Sequence, residues 1–272
     1  LMTYRIPDAI TCVARNSETN EFDLNKFFST EGEKKEAKFI LENEVQNWLD
    51  LIRGAYLDTS LEELKLGVKK NDAYWPFKET ALLNVLNHTL WFLPNVNSCY
   101  AMANLLNQPQ NKNGFYGDYK VNICAGAEAG VGLDALKPVE DSMDNPLETK
   151  TITLTCGKLT TGVTVKPWTG IFMLRNLSTP ETYFQSAFRV QSPWEVEVGA
   201  NKKEIIKKEC YVFDFALDRA LKQISDYATK LDIKETNPEK KVDDFINFLP
   251  VLAYQDGKMQ EIDAGQILDI AM

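Results

Sequence analysis

The chain has 272 residues, 44% of them hydrophobic and 25% charged, enough for one large core or a core with a smaller attachment. A net charge of −9 and an isoelectric point near 4.9 exclude a protein that coats nucleic acid through a generally basic surface, and leave room only for a local basic groove. No apolar run approaches the ~18 residues of a membrane span, no secretory pattern opens the chain, and the five cysteines (Cys12, Cys99, Cys124, Cys156, Cys210) contain no C-x-x-C pair. Zinc is therefore not expected, and buried free thiols in a reducing cytoplasm are.

Residues 1–78 read as a helical, accessory segment. Phe39, Ile40, Val45, Trp48, Leu49 and Ile52 fall close to helical spacing within Glu36 to Tyr56, and Ser60 opens a second short helix with Glu62 and Glu63 in its first turn. The charged run 31–36 reads as a solvated loop. The opening LMTYRIPDAI reads as the interior of a longer chain. From Glu79 the pattern becomes alternating strand and helix. Asn87 to Asn95 is a buried strand ended by Pro94. A helix from Cys99 to Leu106 follows, capped by Asn97 or Ser98, and then a strand over Tyr119 to Ala125. Glu128 to Glu148 is acidic and reads as a loop.

The next stretch, Thr151 to Trp194, is the most informative. Ile152, Leu154 and Cys156 alternate with Thr151, Thr153 and Thr155, as in a strand. Lys158 to Val165 offers threonine hydroxyls and Gly162, where backbone can approach a ligand. Gly170 to Leu174 is a short apolar strand. Ser178 or Thr179 caps a helix with Pro180 and Glu181 in its first turn, bounded by Pro193. Gln185 and Arg189, four apart, share one face of it. A strand over Glu209 to Phe215 and a helix over Leu217 to Leu231 complete an α/β domain, 79–231, whose sheet should be mainly parallel and covered on both faces. The extension 232–272 begins with a charged linker, continues as a helix over Val242 to Leu252, and ends in a strand or short helix from Met259.

The segment LTCGKLTTGVTV followed by Gln185-Ser-Ala-Phe-Arg189-Val-Gln-Ser192 resembles the last two motifs of the superfamily 2 (DEAD/DEAH-type) helicases and translocases, especially the helicase-like subunits of restriction enzymes and their phage relatives. Gln185, Arg189 and Gly162 match that pattern. Phe188 replaces its glycine, Ser192 its second arginine, and Thr164 stands where many members carry an aspartate. The resemblance implies the C-terminal RecA-like lobe of an ATP-dependent DNA helicase, with ATP and Mg²⁺ held mainly by an N-terminal lobe outside this sequence. Arg189 then reaches the γ-phosphate across the cleft and Gln185 positions it, with Gly162 and Thr164 at the nucleotide. Lys158, Thr160 and Thr161 would meet the phosphate backbone of DNA. HTLWFLPN resembles the motif IV strand, which would place Asn95, Asn97 and Ser98 on the nucleic-acid side, with His88 structural. The family's other partners are nuclease or methyltransferase domains or subunits of a cytoplasmic restriction system, with no membrane involved.

The chain has no G-x-x-x-x-G-K-[ST] loop, since Gly157-Lys158 is followed by Leu159 and Gly257-Lys258 by Met259. It is therefore expected to be inactive on its own, and no metal site is expected in it. A Mg²⁺-dependent restriction nuclease would need an acid-x-Lys triplet on a strand; Glu63-Leu-Lys65, Glu33-Lys-Lys35 and Asp232-Ile-Lys234 fit the triplet but not the strand. A lobe that kept the fold, lost the chemistry and only binds nucleic acid or a partner is the third reading, because Phe188 and Ser192 depart from the motif.

Overall fold

The architecture is that of a computed structural model, which describes residues 1–56, 74–130, 133–159, 163–198, 202–231, 235–255 and 258–271. Eight strands form its sheet: β1 (Met2–Tyr4), β2 (His88–Phe92), β3 (Lys120–Cys124), β4 (Thr151–Thr155), β5 (Gly170–Met173), β6 (Tyr211–Asp214), β7 (Leu252–Gln255) and β8 (Lys258–Glu261), in the order β8-β7-β1-β6-β5-β2-β4-β3. Every pairing is parallel except the hairpin between β7 and β8. This is an α/β fold with a RecA-like arrangement.

The strands are apolar on both sides because both sides are covered. In β2, Trp91 joins the core that contains Trp48, Met102 and Phe172, whereas Leu90 and Phe92 join the core with Ile171, Tyr183 and Ile224. Connections that step across the sheet toward β3 lie on the first face: α1 (Glu42–Ile52) and α2 (Val96–Leu106). Those that step back toward β7 lie on the second: α3 (Leu133–Met143), α4 (Pro180–Ala187), α5 (Leu217–Leu231) and α6 (Pro238–Phe248), with α7 (Ala264–Ala271) closing the chain. Right-handed crossovers require this division.

Of the N-terminal segment, residues 1–56 and 74–78 are tied into the sheet. β1 lies between β6 and β7, and Trp48 of α1 meets Trp91 at 5.7 Å and Phe215 at 5.2 Å between ring centroids. Phe77 stacks on Phe172 at 5.5 Å, and the Tyr4 hydroxyl donates to the Tyr74 carbonyl at 2.7 Å. The expected helix opening at Ser60 lies outside the described residues.

Three local expectations are corrected. The acidic segment 128–148 contains α3, whose Ala135, Leu136, Val139 and Met143 are buried at helical spacing despite Pro138 within it. α2 starts at Val96 and is capped by Asn95, whose Oδ1 accepts from the Ser98 amide at 2.9 Å; neither Asn97 nor Ser98 is the cap. α6 starts at Pro238, capped by Asn237, and stops at Phe248, two residues before Pro250; the second half of the expected charged linker, 238–241, is therefore its first turn. The helix Leu217–Leu231 stands as expected, burying Ala220, Leu221, Ile224 and Ala228.

Candidate functional site

In an open parallel sheet the carboxyl ends of the strands are where connections diverge and a crevice opens. β5 and β2 are neighbours whose following helices, α4 and α2, lie on opposite faces, and β6 and β1 likewise send their chains to opposite faces. The residues following these strands form the candidate site.

After β4 the chain turns sharply. Gly157 has φ +154°, Leu159 is a buried non-glycine residue at φ +63°, and the Thr155 hydroxyl donates to the Lys158 carbonyl at 2.5 Å. A left-handed leucine is uncommon and marks a backbone held by its surroundings. The Lys158 ammonium donates to the Gly130 carbonyl in the loop that leads into α3. Thr160, Thr161 and Gly162 lie outside the described residues. Thr164 is exposed, between buried Val163 and Val165.

α4 carries the other half of the motif pair. The Thr179 side chain accepts from the Thr182 amide, Pro180 occupies the first turn, and Tyr183, Phe184 and Ala187 are buried. The helix loosens into a 3-10 turn from Phe188 to Gln191, so Arg189 extends from that turn. Arg189 is half-buried. Its Nη1 donates to the Val163 carbonyl at 2.9 Å and its Nε, at 3.3 Å, to the Gln185 carbonyl; Nη2 has no partner among the described residues. The Gln185 side chain is exposed.

A crossover helix runs back against the strands, so Arg189 lies away from their carboxyl ends. Lys207 shows the same: its ammonium donates at 2.8 Å each to the carbonyls of Val190, of Trp168 just before β5, and of Lys166. Burial pushes the Lys207 amine down to about 8. The expected residues therefore fall into two groups. Asn95, Ser98 and Lys158 stand at the carboxyl edge, Arg189 and Gln185 lie farther back on the second face, and the loop 157–165 joins them. Within the first group Ser98 is fully buried, its hydroxyl donating to the Phe28 carbonyl at 2.9 Å, so it presents nothing to a ligand in this conformation. The Asn95 side chain is held by its cap. Of the three, Lys158 offers a charged group at the edge.

Three charged residues here escaped the sequence reading. Arg175, two residues past the end of β5, donates from Nη1 to the Cys156 carbonyl at 2.9 Å and lies 5.1 Å from the Phe92 ring centroid. Asp214, at the end of β6, is fully buried. Arg219 grips it through Nη2 at 2.7 Å to each oxygen, the Tyr183 hydroxyl donates at 2.9 Å, and the Ala216 amide does so at 2.9 Å. Burial nevertheless raises the Asp214 carboxyl above its ordinary value, with Arg219 the largest opposing influence. Arg219 also lines a crevice of about 180 Å³ between β1 and β6, together with Arg5, Asp8, Arg15, Asn176 and Asp218. A signal existed for Arg175, the lone charge closing the apolar run GIFMLR; the Asp214–Arg219 pair joins a strand end to a helix and has no sequence period.

His88 is buried at the start of β2, as expected of a structural residue. Its Nε2 donates to the Pro146 carbonyl at 2.8 Å, which leaves Nδ1 to accept from the Thr151 hydroxyl at 2.9 Å, and burial lowers its pKa, favouring the neutral ring. Of the nuclease triplets, Glu33-Lys-Lys35 is exposed and opens a 3-10 turn instead of lying on a strand, and the other two fall wholly outside the described residues.

The fold and edge define an α/β protein with a chiefly parallel sheet and a RecA-like arrangement. No protein-family model matches the chain. In an alignment 256 residues long that covers 89% of the chain, it is 31% identical to a Mycoplasma pneumoniae protein provisionally named as the C-terminus of a type II restriction enzyme and methyltransferase. It spans 32% of that relative's length. Among the described residues, no helix is long and apolar enough to cross a membrane.

Proposed function

We propose that the chain is the C-terminal motor lobe of an ATP-dependent DNA helicase or translocase in a cytoplasmic restriction system, acting with a preceding lobe that holds most of the nucleotide. The observation that carries the reading is the Arg189–Val163 hydrogen bond, which links the glutamine–arginine helix to the threonine–glycine loop in a single unit. The resemblance pairs these two motifs, and the relative's name independently supports a restriction system.

The residues suit a nucleotide phosphate in part. A guanidinium with one terminal nitrogen held by a carbonyl and the other without a partner among the described residues is oriented yet retains donors for an anion. ATP, with Mg²⁺, would supply the phosphoanhydride whose cleavage drives movement. Arg189 would neutralise charge growing on its outer phosphate, and Gln185, exposed one turn earlier, would steady that contact. Lys158 and the threonines of the loop would meet DNA phosphates, which positions the strand without reading its sequence. The loop then couples the two contacts mechanically, because one backbone runs from Lys158 to the carbonyl that holds Arg189.

The test uses the longer protein carrying this chain. DNA-stimulated ATP hydrolysis and movement along DNA are expected there, while the isolated chain with Mg²⁺ should neither hydrolyse ATP nor cut DNA. Mg²⁺-dependent cutting by the isolated chain would replace this reading with the nuclease one.

A further inference from the structure

Lys207 draws three backbone segments to one point. Its half-buried ammonium donates at 2.8 Å to each of three carbonyls, those of Lys166, Trp168 and Val190. An ammonium carries three donors on one nitrogen, so all of them are spent here. Val190 and Trp168 have no solvent exposure, and water does not replace the ammonium at those two carbonyls. The backbone that carries Lys207 is fixed as well: the Ile206 and Lys207 amides both donate to the Trp194 carbonyl, at 2.9 and 3.3 Å. These contacts close a ring with the Arg189 clasp. Val163, whose carbonyl receives Arg189 Nη1, lies just before Lys166 in the chain, and Val190 directly follows Arg189. Arg189 ties the 3-10 turn to the loop through its side chain, and Lys207 ties the same two segments through their backbones.

We propose that Lys207 is a positioning residue for Arg189, holding the turn 188–191 against the end of the loop so that the guanidinium keeps one orientation toward a nucleotide phosphate. The inference rests on the motor reading and adds to it the group that sets the arginine's aim. Lys207 touches no reacting atom in this assignment and acts only through Arg189. A compact ammonium suits the task, because three carbonyls converging on one point need a tetrahedral donor, which a planar guanidinium replaces only in part. Misplacing a catalytic group by about 1 Å can cost roughly 10²-fold in rate. The clasp also depends on the charge of Lys207. A neutral amine has two N–H donors, so one of the three bonds is lost when the proton leaves. Burial brings that loss down to about pH 8, with the Cys210 sulfur the opposing influence. His88, held neutral, lines the same cavity as Lys207, together with Lys208 and Glu209 of its own segment; Lys166 and Arg189 carry the charges of the two segments it joins.

The experiment is single-turnover ATP hydrolysis by the longer protein, with DNA present, for Arg189→Ala, Lys207→Met and the double variant, each checked for folding by thermal unfolding. Lys207→Met is expected to slow the chemical step by roughly 10²-fold while nucleotide affinity stays nearly unchanged. The double variant should be no slower than Arg189→Ala, since without the guanidinium nothing remains to aim. In wild type the same step should slow as pH rises through about 8, and that limb should vanish in Lys207→Arg, whose guanidinium stays charged. Losses that multiply in the double variant, or Lys207→Met within about threefold of wild type, would overturn this inference and leave the motor reading standing. An inert Arg189→Ala would bring down both. Should Lys207→Met fail to fold, the pH limb decides: a wild-type rate that is flat there, or a limb that persists in Lys207→Arg, overturns the assignment.

Discussion

Removing the Arg219 side chain isolates the physics of the carboxyl edge. Asp214 has no solvent exposure, and in wild type its two oxygens receive both contacts of the Arg219 Nη2 nitrogen, together with the Tyr183 hydroxyl and the Ala216 amide. In Arg219→Met the aliphatic volume is largely kept, but the carboxylate loses its counter-charge. Breaking one partner of a buried pair costs about 3–5 kcal/mol, whereas replacing both by groups of similar shape is often near neutral. The predicted ordering in urea denaturation at pH 7 is therefore a large loss for Arg219→Met and a smaller one for the double variant Asp214→Asn/Arg219→Met. The sign with pH follows from Asp214. Its folded pKa is already raised, so its contribution to stability is greatest below the unfolded value of ~3.9 and is lost as pH rises through the folded value. Removing Arg219 raises it further, so acidification toward pH 5 should shrink the gap between Arg219→Met and wild type. A single variant within about 1 kcal/mol of wild type, or a double variant worse than the single, would refute the reasoning.

Other consequences are as direct. His88 is held neutral with a lowered pKa, so its contribution is present above the unfolded value of ~6.5 and is lost as pH falls from there toward the folded value; His88→Gln should flatten that part of the stability–pH curve, as followed by thermal unfolding. Trp48→Ala should cost about 3–5 kcal/mol in chemical denaturation, because its ring fills the junction between Phe28, Trp91 and Phe215; a loss below 1 kcal/mol would mean that the N-terminal segment is not part of the main core. In the longer protein, Lys158→Ala should weaken DNA binding evenly across sequences and reduce the slope of log K against log salt by about 1, measured by fluorescence anisotropy; an unchanged slope removes Lys158 from the phosphate contact.

The elements that could be read from the sequence were those whose pattern is local and long. Leu217–Leu231 repeats its apolar residues at helical spacing over four turns, and the buried strands around Trp91 and Phe172 are bounded by turns, so the α/β class and the parallel sheet followed. β1 is three residues long, too short for any period, and gains its place only from neighbours more than two hundred residues away. α3 was hidden by Pro138 and by acidic residues on its outer side, although Leu136, Val139 and Met143 keep helical spacing. At the site, the helix cap at Thr179 was foreshadowed by residue type and spacing. The burial of Ser98 and the gripping of Asp214 by Arg219 were not, because both depend on partners brought in by tertiary packing, Phe28 in one case and Tyr183 in the other.

The account rests on the Arg189 guanidinium acting on a nucleotide, and single-turnover ATP hydrolysis by the longer protein, with DNA present, tests it most directly. Arg189→Ala is predicted to slow the chemical step by roughly 10³-fold while nucleotide affinity changes by less than about threefold, since a trans-cleft arginine acts chiefly on charge that develops during the reaction. Hydrolysis within a few-fold of wild type would contradict it and leave Arg189 as a clasp on the Val163 carbonyl alone.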